Sequence, residues 1–360
     1  MTASAKRPYW LASVLSNPKS VANIGIREWE VLLWQARNSG LTAQLRHSLN
    51  LSGILEQAPK AAIRHLEMAW ELSQKHAAAA KWELRILAET LKPLEAPVVL
   101  LKGAAYCAVS NQASIGRLFN DIDILVPKSV LSEAEELLTV AAWLPARTTS
   151  YDERYYREWM HEIPPMEHRD RYTSLDVHHT ILPPTAGIPL DPQLLFDAAI
   201  PIKGEFSFFK MFAPQDMVIH SACHLFFDEF HKGLRDLYDL HMLFSEFSEN
   251  ASFWRSLMSR AESMGLAWPV LDALQQCQRL FATNIPEEFL NEFQNRQGHR
   301  ILQSARQWLF DQVLRPNHSS ATSTFTHFAQ WLAFVRSHWL KMPVPLLVFH
   351  LSHKLMVKDR

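Results

Sequence analysis

Apolar positions recur at helical spacing through the first quarter of the chain. Ile63, Leu66, Met68, Trp70 and Leu72, then Trp82, Leu84, Ile86 and Leu87, lie in Ala-, Glu- and Lys-rich sequence with no Gly or Pro between them. Such segments favour helix, and Pro93 and Pro97 bracket the break that follows. The period then changes. Residues 98–101 are short, apolar and β-branched, which predicts a first core strand closing at Gly103, with a helix over 104–110. A polar connection carrying Arg117 leads to a second strand over 121–126, closed by Pro127. Ser129 caps a predicted helix in which Ala134, Leu137, Leu138 and Ala141 follow the i, i+3, i+4, i+7 spacing of a buried stripe. Residues 162–168 and 172–182 read as two strands around the charged turn Arg169-Asp170-Arg171, and 206–211 as a last strand. From Pro214 onward the pattern is helical again. The expected class is α+β: a helical region over 1–94, a small α/β core over 95–213 and a second helical region over 214–360.

Composition narrows the classes. A chain of 360 residues with 48% hydrophobic content can bury sizeable cores. A formal net charge of −1 argues against a surface built throughout for nucleic acid, and leaves room for a local basic groove. Cys107, Cys223 and Cys277 form no CxxC pattern, so neither a zinc knuckle nor a disulfide framework is implied, and a reducing cytoplasm is the expected location. The opening fifteen positions lack a signal-peptide apolar stretch. The apolar run over 342–351 is too short to span a bilayer and contains Pro343 and Pro345. Trp339, Lys341 and the basic residues Lys354, Lys358 and Arg360 read as a terminal helix packed on the domain rather than as a membrane contact.

The chemistry concentrates in Asn120-Asp121-Ile122-Asp123-Ile124-Leu125-Val126. In a strand Asp121 and Asp123 share one face and Ile122 and Ile124 the other. Adjacent carboxylates repel and lose hydration, so a packed strand has no structural use for the pair, whereas a hard divalent cation removes the penalty. Asp176, in Ser174-Leu175-Asp176-Val177-His178, shares its face with His178 by the same alternation. If the two strands are neighbours, three carboxylates converge as a two-metal in-line displacement requires, with Asp176 a second-metal ligand or the base. Bare acids so placed repel one another, so Asp123→Asn is expected to fold as well as the parent. Gly103 permits close backbone approach to a phosphate, and Lys102 and Arg117 are the natural counter-charges for phosphate oxygens. His220, His224 and His231 return to nearly one angle of a helix, and read as hydrogen-bonded histidines lining a cleft. Arg235 and Asp239 stand i, i+4, as an intrahelical ion pair would.

The order Leu101-Lys102-Gly103, Arg117, Asp121-Ile122-Asp123-Ile124-Leu125-Val126 and Leu175-Asp176-Val177-His178, continued by His220-Ser221-Ala222-Cys223-His224 and Arg235-Asp236-Leu237-Tyr238-Asp239-Leu240, resembles the uncharacterised bacterial nucleotidyltransferases of the DNA polymerase beta-like superfamily. The resemblance covers roughly the middle of the chain. It implies a mixed sheet with flanking helices and Mg²⁺-dependent transfer of a nucleoside monophosphate from an NTP, with release of pyrophosphate and two Mg²⁺ ions at the site. By position it makes Asp121 and Asp123 the metal-binding pair, Asp176 the third acid and Lys102-Gly103 the nucleotide loop. Many superfamily members have Gly-Ser or Gly-Gly where this chain has Gly103-Ala104, so Lys102 stands in for the missing hydroxyl. The acceptor is open: a small hydroxyl compound, a protein side chain or an RNA end. The alternatives are a degenerate module that binds a nucleotide or a protein, and a toxin–antitoxin component acting on a protein or tRNA.

Overall fold

The computed structural model describes residues 10–146, 149–297 and 300–348. Its seven strands are β1 (Val99–Leu100), β2 (Asp121–Leu125), β3 (Trp143–Pro145), β4 (Met166–His168), β5 (Ser174–His178), β6 (Ile200–Pro201) and β7 (Lys210–Met211). They form one sheet in the order β3-β4-β5-β2-β1-β7-β6. β2 runs parallel to β5 and antiparallel to β1, and β1 runs parallel to β7, so the sheet is mixed and the class is α+β. Ile122, Ile124, Leu175 and Val177 are buried, and the core continues without a break from Leu11 into the C-terminal helices.

Several elements differ from the sequence pattern for identifiable reasons. The strand expected over 162–168 reduces to β4, because Pro164 and Pro165 have no N–H to donate; upstream of them a single bridge joins Glu162 to His178. The strands β3 and β6 escape the pattern. Both lie at sheet edges and both contain a proline, Pro145 or Pro201, which an edge tolerates. The last strand shrinks to β7, since Gly204–Phe206 forms a 3₁₀ turn. A helix over Ser150–Arg154, which no apolar stripe signals, is capped by Thr149, whose hydroxyl accepts from the Asp152 N–H.

Helix Lys60–Leu91 realises the long unbroken pattern and stops before Pro93. The short helix Lys102–Ala108 starts two positions earlier than the spacing predicts and takes Gly103 into its first turn. Ser129 does not cap helix Leu131–Val140: it lies inside a 3₁₀ turn, Lys128–Val130, whose Val130 takes the N-cap position without a side-chain bond, and the helix buries Ala134 and Leu138. Helix Pro214–Phe227 is buried along most of its length. It ends where Asp228 turns extended and Phe230 takes φ +62°, so His231 is not on it. Helix Thr324–Lys341 packs on the rest of the chain; Lys354, Lys358 and Arg360 lie outside the described residues. Among the described residues no helix is long and apolar enough to cross a membrane.

Candidate active site

Parallel pairing of β2 and β5 sets Asp123 beside Asp176 and Leu125 beside His178. Partners in register point to one face, so Asp121, Asp123, Asp176 and His178 share a face as the alternation requires. The bridge from Glu162 to His178 adds a fourth acid to that face. Together they line a cavity of about 220 Å³, whose opposite wall includes His220 and His224 of helix Pro214–Phe227 and Lys341. The three sequence-predicted acids are thus brought together, with Asp121 exposed at the strand's start and Asp123 buried.

The acids differ in their compensation. Lys102 Nζ donates to Asp123 Oδ1 at 2.9 Å, and His178 Nε2 lies 3.2 Å from the same oxygen. Burial pushes the Asp123 carboxyl up, but Lys102 and the His178 hydrogen bond outweigh it and hold it well below the usual carboxylate range. Asp176 has no such partner. Its Oδ1 is buried without a hydrogen bond, and burial followed by the charges of Asp123 and Glu162 pushes its carboxyl up to about 7. The repulsion expected at Asp123 therefore resides at Asp176: Asp123 is salt-bridged, and Asp123→Asn breaks a buried pair rather than relieving a strain.

His220 is held well below its ordinary range by burial and then by Lys102, and its ring meets Phe212 edge-on at 5.5 Å. Burial and Lys102 lower His224 to about 4. Both line the cavity in the neutral form. His231 is exposed and bonds Glu229, so the three-histidine stripe reduces to two.

Of the residues expected to hold phosphates, Lys102 lines the cavity and a smaller one of about 40 Å³ beside it. Its backbone takes φ +41°, a left-handed conformation that costs a non-glycine residue about 1–2 kcal/mol. Arg117 lines only the smaller cavity, where it is buried in an ion pair with Asp239. Burial and then Arg235 lower the Arg117 guanidinium to about 10. Asp239 thus serves Arg117, and Arg235 turns to Asp236 at 2.7 Å instead of the i+4 partner that the spacing predicts. Gly103 lines neither cavity; a Cβ there would lie 3.0 Å from Arg117 Nε and 3.3 Å from Phe119. Its bare Cα is what lets Arg117 pass.

A family model described as an uncharacterised nucleotidyltransferase matches residues 26–282. The chain belongs to this uncharacterised nucleotidyltransferase family. No curated protein and no solved structure matches it. Membership supports nucleotidyl transfer as the general activity and accounts for a site in which the matched stretch supplies every acid on the shared face.

The residues that line the cavity fit a hard cation. Among the described residues Asp121, Asp123, Glu162, Asp176 and Asp228 line the cavity against two ammoniums, Lys102 and Lys341, and the orphaned Asp176 Oδ1 is a free ligand. His161, Glu162, Asp228 and Lys341 are the lining groups that sequence reasoning misses. His161 and Glu162 lie before the Pro164-Pro165 break, and Lys341 reaches Asp228 at 3.0 Å from 113 residues away, so no local pattern marks them.

Proposed function

We propose that this cavity transfers a nucleoside monophosphate from an NTP to a nucleophilic acceptor and releases pyrophosphate. One observation carries the reading: Asp123 and Asp176 stand in register on parallel strands and line one cavity, and Asp176 Oδ1 has no hydrogen-bond partner. Asp121 and Asp123 would hold Mg²⁺, with Asp176 a ligand of a second ion. Bound there, Mg²⁺ neutralises phosphate charge and stabilises the attacking and leaving oxygens. The alternative role for Asp176, with no second ion on it, is the base that takes the acceptor's proton: burial and the charges of Asp123 and Glu162 raise its carboxyl to about 7, and a base is most effective when its pKa lies near the working pH. Lys102, released from Asp123, would pair with a phosphate oxygen, while Gly103 and Arg117 shape the wall behind it. Use of an NTP and Mg²⁺ fits a cytoplasmic location, and the helical regions over 1–94 and 214–360 would flank the catalytic core over 95–213.

A second reading, a module that binds nucleotide without transferring it, has one observation in its favour: Asp123 Oδ1 already carries Lys102 and His178. Incubation with labelled NTPs, Mg²⁺ and a cell extract separates the two. Transfer predicts a labelled acceptor that disappears with Asp121→Asn and Asp176→Asn. Nucleotide binding without any labelled product overturns transfer and leaves the binding module.

A further inference from the structure

The end of β5 carries donors that phosphate chemistry leaves over. We propose that His161, Glu162 and His178 form a second cation site, selective for a divalent transition metal of the zinc type. One ligand atom from each of the three lies within 4.8 Å of the others. His178 Nδ1 is 3.2 Å from Glu162 Oε2, yet it makes no hydrogen bond. That separation suits two ligands of one tetrahedral ion, which stand about 3.3 Å apart when each bond is about 2.0–2.1 Å. His161 Nε2 lies 4.0 Å from the same Glu162 oxygen, and with all three ligand atoms within 4.8 Å of one another, closing on a shared ion takes a contraction of up to about 1.5 Å.

The surroundings agree with this assignment. His178 turns its other ring nitrogen to Asp123 at 3.2 Å. A carboxylate behind a ligating histidine is the usual outer support of a metal site, because it fixes the tautomer and points the free lone pair at the ion. Two nitrogens and one oxygen select a borderline cation, whereas Asp121, Asp123 and Asp176 offer only oxygen, the preference of Mg²⁺. All three residues line the cavity, so a fourth coordination position opens into it for water or a substrate oxygen. The cavity then holds two kinds of cation site side by side, joined through His178 and Asp123.

The full chain, stripped with a chelator, is titrated with Zn²⁺ against a chromophoric competitor, and with Co²⁺ as a spectroscopic substitute. One Zn²⁺ per chain is expected, with visible Co²⁺ bands of a tetrahedral site. His161→Ala and Glu162→Gln should each weaken binding at least about tenfold, no less than the loss of an outer-sphere partner costs. Asp121→Asn, outside the triad, should keep both affinity and bands. The parent's stoichiometry and Co²⁺ spectrum decide the matter even where a variant misfolds. Absence of stoichiometric binding, or binding that survives both triad substitutions in folded protein, overturns the site. Zn²⁺ binding without nucleotidyl transfer sinks the proposed function alone, and transfer without a Zn²⁺ site sinks this inference alone.

Discussion

Replacing Asp176 with Asn tests the charge arrangement at its least compensated point. In the folded chain burial, Asp123 and Glu162 raise this carboxyl from 3.8 to about 7. The folded state therefore keeps a proton that the unfolded chain releases, and ionising Asp176 costs stability. The cost is absent below the unfolded pKa, develops as pH rises from there, and is complete above the folded value near 7. A rise from 3.8 to about 7 is roughly three powers of ten in proton affinity, a ceiling of about 4 kcal/mol. Water in the cavity screens part of this, so about 2 kcal/mol is the working figure. Asn keeps the shape and cannot ionise. Metal-free Asp176→Asn should thus exceed the parent by about 2 kcal/mol at pH 8, roughly 3 °C in melting temperature for a chain of this length. At pH 5 the gain should be clearly smaller. Added Mg²⁺ should stabilise the parent at pH 8 and the variant less. Melts with chelator at both values decide it: a variant less stable than the parent at pH 8, or a gain of equal size at both, refutes the reasoning.

Other substitutions probe the neighbouring groups. Lys102→Ala strips Asp123 of its ammonium, so stability should fall by about 3 kcal/mol and NTP affinity by about 1–3 kcal/mol. Calorimetric titration showing undiminished NTP binding would remove Lys102 from the phosphate site. Arg117→Ala leaves Asp239 buried without its counter-ion and should cost about 3–5 kcal/mol, while Arg117→Ala with Asp239→Asn should cost less than the two single changes summed. Simple additivity in denaturant melts would contradict the pair. Gly103→Ala places a Cβ 3.0 Å from Arg117 Nε and should cost about 1–2 kcal/mol. If Asp239→Asn has already freed the arginine to move, the same change should cost less.

What could be read from the sequence depended on how local the cause was. Alternation in β2 and β5 is a property of a few consecutive residues, so the shared face of Asp121 and Asp123, and that of Asp176 and His178, follow from the residues alone. Register between the strands does not. Nothing in either segment says that Asp123 meets Asp176 rather than Ser174. The same limit hid Glu162, which reaches the face through one bridge beyond two prolines. His231 was misplaced because the four-and-eleven spacing assumes that the helix continues past Phe227, where Asp228 instead turns out to meet Lys341. Arg235 and Asp239 show the same effect: the i+4 spacing is real, but a buried guanidinium from the 111–120 connection outcompetes the local partner.

Helix Thr324–Lys341 ends on the cavity: Lys341 bonds Asp228, and its carbonyl accepts from the Thr185 hydroxyl at 2.6 Å. Both contacts lie partly beyond the stretch that carries the family likeness, which stops at 282. This part of the cavity wall is therefore supplied from outside the matched stretch. Substitutions in this closing helix can retune the size and charge of the chamber while every carboxylate on the sheet stays as it is. For protein engineering the same layout has a practical edge: libraries confined to the last turns before Met342 would vary the charge of this wall without touching the acids on the sheet, and a deletion there would remove a wall rather than a tail.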